Sequence, residues 1–307
     1  MKAAYLTAAG GIENFVYGDL PDPAAGPGQI VVDIHAASVN GADYKSRQNA
    51  YGHKMEFPYI LGRDFSGVVS AVGEGTGDFQ VGDEVFGVCA PGQEGTYCEK
   101  IAMDASIVAK KPSSMSHVDA AALALIGLTA LVSVEDTLQL RNGETILIQG
   151  GAGGVAGFAI QLARHIGATV ITTCSTKNVD YVRGLGADQV IDYSAQDFVE
   201  AVNNIDCVFD TVGAEVAAKA FDVLRPGGRA AFIASGQKAP VPPRGDVTSL
   251  RPNVGRDREH LERIADLHAA GAVTVPEVAL FDLADAAKAS AISEGRHFRG
   301  KLVLKVR

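Results

Sequence analysis

The stretch Thr145-Ile-Leu-Ile-Gln-Gly-Gly-Ala-Gly-Gly-Val-Ala-Gly-Phe-Ala-Ile-Gln-Leu-Ala-Arg164 limits the fold more than any other part of this chain. A short apolar run stops at a cluster of glycines, and an amphipathic segment starts at once. That order predicts a buried strand, a tight turn and the first turn of a helix. Glycines keep side chains out of the turn, so backbone N–H groups and the positive end of the helix can face one anion together. Gly151, Gly153 and Ala156 match the spacing G-x-G-x-x-G/A, in which a diphosphate rests on the helix N-terminus. The residues expected to cradle it are Gly151, Ala152, Gly153, Gly154 and Val155.

Glycine patterns alone are weak signals, because turns need glycine for many reasons and a helix-entry loop without a ligand has the same look. The flanks strengthen the reading. Phe158, Ile160, Leu162 and Ile166 carry helical apolar spacing, and Gly167 is placed to end the helix in a left-handed conformation. Thr169-Val-Ile-Thr-Thr173 then reads as a second strand. Together these segments form a βαβ unit. An NAD site usually places Asp or Glu about twenty residues past the first glycine, on the ribose 2′-OH. Here the region reads Thr173-Cys-Ser-Thr-Lys-Asn178, and the next acid is Asp180. Hydroxyls and an ammonium group favour a 2′-phosphate, so Ser175 and Lys177 point to NADPH. The competing reading is a polar loop opening the next helix. The missing acid also argues against an S-adenosylmethionine site.

The chain has 307 residues, enough for two domains, each with a core of its own. Its net charge of −9 comes without any basic run, which argues against nucleic acid or an anionic membrane as the main partner. Cys89, Cys98, Cys174 and Cys207 form no C-x-x-C pair and no disulfide framework, so a reduced, cytoplasmic protein is expected. The N-terminus lacks the basic-then-apolar pattern of a signal peptide. Residues 118–134 are Ala-rich, include Asp119, and read as too short and weakly apolar to span a bilayer.

Residues 1 to about 110 are dense in glycine, proline and short β-like runs, with strands expected at 29–35, 65–72 and 83–88. From Ser116 the texture changes. Strands are expected at 145–149, 169–173, 189–191, 206–210 and 229–233. Helices are expected near 154–166, 177–185, 195–203 and 214–224, an alternation that gives a parallel sheet. Arg225-Pro-Gly-Gly228 reads as a turn before the fifth strand, 241–245 as a surface loop, 258–270 as a helix and 301–307 as a strand.

Motifs in order carry a family resemblance. Gly26-Pro-Gly-Gln-Ile-Val-Val32, Ala37-Ser-Val-Asn-Gly-Ala-Asp43, Leu61-Gly-Arg-Asp-Phe-Ser-Gly-Val-Val69, Val81-Gly-Asp-Glu-Val-Phe86 and Gly95-Thr-Tyr-Cys-Glu99 lie in the first part. Gly127-Leu-Thr-Ala130, the glycine loop, Leu185-Gly-Ala-Asp188, Arg225-Pro-Gly-Gly228 and Arg299-Gly-Lys-Leu-Val-Leu304 follow. The chain resembles the medium-chain dehydrogenase/reductase superfamily, and within it the zinc-free quinone oxidoreductase (zeta-crystallin-like) branch. The resemblance implies an α/β fold: a GroES-like β-rich catalytic domain at 1–115, with a C-terminal return at about 272–307. A Rossmann doubly wound NADPH-binding domain would occupy 116–271. It also implies a homodimer.

Zinc-dependent relatives carry a cysteine where this chain has Asn40, and Gly-His-Glu where it has Gly62-Arg63-Asp64. A third ligand would fall near Leu125 and Ile126. Catalytic zinc needs three N, S or O protein ligands, so no metal is expected here. Two departures from the family pattern are Ala156, where the last glycine of Gly-Gly-Val-Gly would stand, and Cys98, where alanine is common.

The resemblance implies NADPH-dependent hydride transfer to a quinone, or to the C=C bond of an α,β-unsaturated carbonyl. A donor near the acceptor oxygen would stabilise its developing charge. Asn40 is one candidate, or else a turn cap. Lys45 is a second, or else a surface lysine. Tyr44 and Tyr51 are proton donors or pocket walls. Arg63 is read as an ion-pair partner or substrate contact. By the same resemblance Thr129, Ser235 and Val254 join the cofactor set, as does Tyr193 beside the 2′-phosphate; Lys301 is carried over more loosely. No Ser-His-Asp pattern is apparent in the sequence. Two rival readings are an NADPH-binding protein with a structural or regulatory role, and a zinc alcohol dehydrogenase with unusual ligands.

Overall fold

A computed structural model describes residues 1–307 apart from His53 and His297. The chain divides into two compact units, one of Met1–Leu125, Gly255–Ala269 and Glu277–Arg307, the other of Ile126–Val254 and Ala270–Pro276.

The first unit is β-rich. Its larger sheet runs Val278–Asp282, Lys301–Lys305, Gln29–Val39, Asp64–Val72, Glu84–Val88, Val108–Lys110, and Lys100–Asp104 also pairs with Gln29–Val39. A smaller sheet holds Phe15–Asp19, Lys2–Leu6 and Tyr59–Ile60. The long strand Gln29–Val39 is paired along both edges, and its register against Asp64–Val72 shifts twice, at Val31/Val32 and Ile34/Ala36. Such irregularities bend a sheet. Ile30, Val32, Ile34, Phe65, Val85, Leu302 and Leu304 pack together in its core.

Two features extend this unit beyond the bounds expected from sequence. The helix His117–Leu131 starts within it, because Ser66 Oγ lies 2.8 Å from His117 Nδ1 and the Leu125 amide donates to Asp64 Oδ2 at 3.3 Å. The helix Arg258–Ala269 belongs to it too, and not to the other unit. Arg258 donates to the Val108 and Ala105 carbonyls, each at 3.0 Å, and its guanidinium stacks 4.6 Å over the Phe79 ring. The last strand pair, Val278–Asp282 with Lys301–Lys305, is parallel and is joined through the helix Ala286–Gly295; the first of these strands and the helix were not foreseen.

The second unit is a fully parallel six-stranded sheet in the order Gln189–Asp192, Thr169–Cys174, Thr145–Gln149, Ile205–Asp210, Leu224–Phe232, Thr248–Leu250. In chain order this is the doubly wound 3-2-1-4-5-6 arrangement, which reverses direction between its first and fourth strands. Five of the strands match the expected ones closely, and the short edge strand Thr248–Leu250 was missed. Arg225-Pro-Gly-Gly228 does not precede its strand but interrupts it. The register jumps from Ile205↔Leu224 to Cys207↔Arg229, with Gly227 at φ 78°.

The helix Gly154–Ile166 stops at Gly167, which is left-handed at φ 91° as its sequence required. The helix from His117 runs on as a π-helical segment to Thr137, longer than the 118–134 stretch read from sequence. His117–Thr137 is long and apolar enough to cross a membrane by composition, but 78% of its most apolar window is buried in the fold.

Gly150, at φ 83°, lets the chain turn out of the first strand, and the Gly151 amide then donates to the Thr173 carbonyl at 2.9 Å. A methyl group on Gly151 would lie 2.2 Å from Thr172 Oγ1, itself fixed by a 2.7 Å bond to the Ile148 carbonyl. Gly151→Ala should therefore cost the ligand-free protein about 1–3 kcal/mol, the usual penalty of overpacking. Denaturant unfolding of the apo form measures it, and an unchanged midpoint would show that the turn has slack.

Candidate active site

Two groups of residues carry the chemistry, one in each unit. In the parallel-sheet unit, ligands of such folds lie outside the carboxyl ends of the strands, where the strand order reverses. Those ends are Gln149 and Asp210, which are Cα partners across the reversal. The loop after Gln149 holds its shape through its own backbone. Gly150 N–H donates to Thr173 Oγ1 at 3.1 Å, Gly153 N–H to the Gly150 carbonyl at 3.0 Å, and Gly157 N–H to the Gly153 carbonyl at 2.8 Å. Gly153 is the N-cap with extended backbone, so Gly154 and Val155 contribute first-turn amides with no intrahelical acceptor. Ala152, half-buried, sits at the turn. After the fourth strand, Val212 N–H and Gly213 N–H both close on the Asp210 carboxylate at 3.0–3.1 Å. Burial pushes that carboxyl above its ordinary range, against those two amides.

At the far side of the sheet, Cys174 and Asp192 are in register, and Tyr193 N–H donates to the Cys174 carbonyl at 3.1 Å. This brings Ser175, Lys177 and Tyr193 to one corner. Ser175 caps a short 3-10 turn and accepts from Asn178 Nδ2 at 3.1 Å, Lys177 is exposed, and Tyr193 is 61% exposed. Sequence reasoning overlooked Asp192, because it reaches this corner from the neighbouring strand. Its carboxylate takes Ser194 N–H at 2.9 Å, and a hydrogen bond from Thr176 lowers its pKa. Thr129 is half-buried on its helix, with its carbonyl accepting from Ser133 Oγ at 2.6 Å at the onset of the π-helical segment. Val254 is half-buried, and Ser235 Oγ is shielded from solvent with no hydrogen-bond partner. The amides, the orphaned hydroxyl and the cation fit a dinucleotide.

The β-rich unit assembles a buried polar cluster around Asn40. Strand register sets it up: Ser38 pairs with both Asp64 and Val303, and Val39 with Leu302, which leaves Lys301 beside Asn40. Ser38 Oγ donates to Asp64 Oδ2 at 2.7 Å, and Asn40 Nδ2 donates to Asp64 Oδ1 at 2.8 Å and to the Ser38 carbonyl at 3.3 Å. Lys301 Nζ donates to Asn40 Oδ1 at 2.5 Å and to the Val39 carbonyl at 2.8 Å. Burial lowers the Lys301 pKa, opposed by Asp64 and Asp43. Both N–H bonds of Asn40 are thus committed inside the protein, and Asn40 is a member of this network rather than an open donor.

Asn40 leads into the helix Gly41–Arg47, where Asp43 accepts from Asn40 N–H and from Tyr97 OH, each at 2.8 Å. Arg63 Nε lies 3.3 Å from Asp43 Oδ1, while its other end meets Glu94 Oε1 at 2.5 Å and Ser46 Oγ at 3.0 Å. Arg63 is therefore an ion-pair centre. Tyr44 and Lys45 are half-buried on the same helix, whereas Asp43, Ser46 and Arg47 are buried. Tyr51, 38% exposed, has the Arg63 guanidinium 6.0 Å from its ring centroid.

At the positions that hold zinc in metal-dependent relatives, this chain presents the Asn40 carboxamide with an ammonium group already against its oxygen. Among the described residues, no group of three or more His, Cys, Asp or Glu side chains is placed to hold a metal. The four cysteines are buried and unpaired. One arrangement escaped sequence reasoning altogether. Ser66 Oγ is 2.8 Å from His117 Nδ1, and His117 Nε2 is 3.4 Å from Glu84 Oε1. Ser66 is wholly buried and also donates to the Val85 carbonyl at 2.8 Å, so this Ser–His–Glu set offers no nucleophile to a substrate.

Residues 26–113 match an alcohol dehydrogenase GroES-like domain family, and residues 185–304 a zinc-binding dehydrogenase family. The 2-haloacrylate reductase of a Burkholderia species is 33% identical over 331 residues, which cover 99% of this chain and 98% of that protein. The zebrafish (Danio rerio) mitochondrial NAD(P)H oxidoreductase RTN4IP1 is 34% identical over 67% of this chain, and the chain spans only 59% of its length. Among solved structures, the quinone oxidoreductase from Coxiella burnetii superposes with a TM-score of 0.92 at 32% identity, covering 100% of this chain and 99% of that one. The Escherichia coli quinone oxidoreductase complexed with NADPH gives 0.90 at 26% identity, with 100% of both chains covered.

The Asp43 carboxyl is raised from 3.8 to about 7, chiefly by burial and then by Glu94, with Arg63 opposing. Between those two values the native state keeps a proton that the unfolded chain releases. The contribution of Asp43 to stability is therefore full below about pH 4, falls as pH rises, and levels off above about 7. Comparing wild type with Asp43→Asn by urea unfolding, the difference should move in favour of wild type on going from pH 8 to pH 5. A difference independent of pH would contradict the shift.

Proposed function

Because the chain belongs to the medium-chain dehydrogenase/reductase superfamily, in its zeta-crystallin-like quinone oxidoreductase branch, and is an NAD(P)H-dependent oxidoreductase, we propose that it uses NADPH. On this reading it reduces quinones, or the C=C bond of α,β-unsaturated carbonyl compounds, without a metal. The observation that carries the metal-free part is the buried ammonium of Lys301 against Asn40 Oδ1. The Lys301 donor already occupies the Asn40 oxygen that a metal would need, and the carboxamide's N–H groups are spent on Asp64 and Ser38.

Bound NADPH supplies the hydride. The chain supplies the rest. With the Gly151 N–H spent on the Thr173 carbonyl, the first-turn amides of Gly154 and Val155 at the helix N-terminus would hold the diphosphate. Ser175, Lys177 and Tyr193 hold the 2′-phosphate, with Thr129, Ser235 and Val254 toward the nicotinamide end. As hydride reaches a conjugated acceptor, its carbonyl oxygen gains negative charge, and a nearby donor lowers the barrier. With the N–H groups of Asn40 committed, Lys45 and Tyr44 are the better candidates for that role. One proton from solvent completes the two-electron reduction. The 2-haloacrylate named for the Burkholderia relative is itself a conjugated C=C acceptor, which supports the unsaturated-carbonyl class.

Purified protein should oxidise NADPH in the presence of a quinone or enone, followed by loss of absorbance at 340 nm, and EDTA should not slow it. No acceleration across a panel of both acceptor classes would remove the activity assignment. Binding without turnover would favour a structural or regulatory role.

Cofactor choice has its own test. Lys177 attracts a 2′-phosphate, whereas the nearby Asp192 carboxylate opposes one, so the preference rests on which charge prevails. Lys177→Glu should weaken NADPH binding by roughly tenfold or more, given about 1.5–3 kcal/mol for a hydrogen bond to a charged group reduced by exposure, and leave NADH nearly unchanged. Equal losses for the two nucleotides would count against the 2′-phosphate assignment.

A further inference from the structure

Among the described residues of the parallel-sheet unit, buried side-chain polar atoms with no hydrogen-bond partner occur on two residues only, Gln149 and Ser235. Gln149 ends one parallel strand and Ser235 follows another, both at the carboxyl edge where this fold takes its ligands. Ser235 is already among the expected cofactor contacts. Gln149 is not, and its case is the stronger: it is 0% exposed, and both Nε2 and Oε1 are unpartnered.

The neighbours of Gln149 make the anomaly sharper. Its Cα partners are Thr173 on one side and Asp210 on the other, so the three side chains share one face of the sheet. Thr173 Oγ1 accepts from Gly150 N–H, and the Asp210 carboxylate accepts from Val212 and Gly213 N–H. Thr173 is thus satisfied by the loop after the neighbouring strand and Asp210 by the loop after its own, whereas the central side chain is not satisfied. The residue ends the apolar run Ile146-Leu-Ile148, where a further aliphatic side chain would extend the core. A buried amide without partners lowers stability, and such groups persist in folded proteins where function needs them.

We propose that the Gln149 carboxamide is a binding group for the nicotinamide dinucleotide, donating to and accepting from its sugar–diphosphate part. A carboxamide can do both at once, matching phosphate or ribose oxygens with its N–H bonds and a ribose hydroxyl with its carbonyl. The inference rests on the reading that a dinucleotide occupies the loop at 150–155, and it adds a side-chain contact to a site otherwise built from backbone.

Gln149→Met keeps the shape and removes both polar atoms. Two measurements are made on the variant and on wild type: the melting temperature of the ligand-free protein, and NADPH affinity by titration of the nucleotide's own fluorescence, which the absence of tryptophan leaves unobscured. The expected result is about tenfold weaker NADPH binding, with a melting temperature equal to wild type or a few degrees higher. Unchanged affinity would overturn the proposal. So would a lower melting temperature accompanying the loss of binding, since that would make the carboxamide a folding element, satisfied inside the apo protein. Failure of the underlying reading looks different: wild-type protein itself would bind neither NADPH nor NADH.

Discussion

The carboxylate of Asp64 is the interaction on which the β-rich unit turns. It is fully buried, and three donors converge on it: the Ser38 hydroxyl, the Asn40 carboxamide and the Leu125 amide. Those donors come from a strand, the entry to a short helix and the middle of a long one, so one charged group fixes three elements. Taking a carboxylate out of water is costly, and only a full set of hydrogen bonds with a nearby cation offsets it. Lys301 supplies that cation through Asn40, which links the last strand of the chain to the same point. Removing any one of these partners would leave a buried charge short of compensation, a larger loss than the bond itself.

A second layer rests on the first. Asn40 is held by Asp64 and Lys301, and its backbone N–H is held by Asp43, which starts the helix Gly41–Arg47. That helix positions Tyr44 and Lys45, the side chains assigned here to the acceptor. Arg63 ties Asp43 to Glu94 across it. The direct candidates for chemistry thus stand on a scaffold of ion pairs rather than on hydrophobic packing, and small changes in buried charge would be felt at the acceptor.

The two halves of the machinery were not equally legible in the sequence. The strand, turn and helix at 145–167 are written in contiguous residues: an apolar run, glycines at fixed spacing, an amphipathic helix and Gly167. They follow from backbone rules, so reading them needed no knowledge of tertiary contacts. The buried polar cluster around Asn40 draws Ser38, Asn40, Asp43, Asp64, Glu94, Tyr97 and Lys301 from remote segments, with 261 positions separating Lys301 from Asn40 in one bond. No local period marks Asp64 or Glu94 as partners, and only the motif match singled out Asn40 and Lys301. The same limit explains Asp192, which reaches the adenosine corner across a strand pair, and the Ser66–His117–Glu84 set, whose members are remote in sequence. The boundaries of the first unit went further than expected because Arg258 and His117 make side-chain bonds that composition does not reveal.

This contrast bears on how such a chain can change its substrate without losing its cofactor. On the proposed reading the dinucleotide would rest on peptide amides and on glycines whose added Cβ atoms would collide with neighbours, as at Gly151, so substitution there is penalised by stability before it affects specificity. On the same reading the acceptor would meet side chains on the helix Gly41–Arg47 and on the loop after it. There, Tyr44, Lys45 and Tyr51 are half-buried or exposed. On the proposed reading, quinone-type and enone-type reduction differ in what these few positions present to the acceptor. The bond from Lys301 to Asn40 and the satisfied carboxylate of Asp64 beside it stay constant.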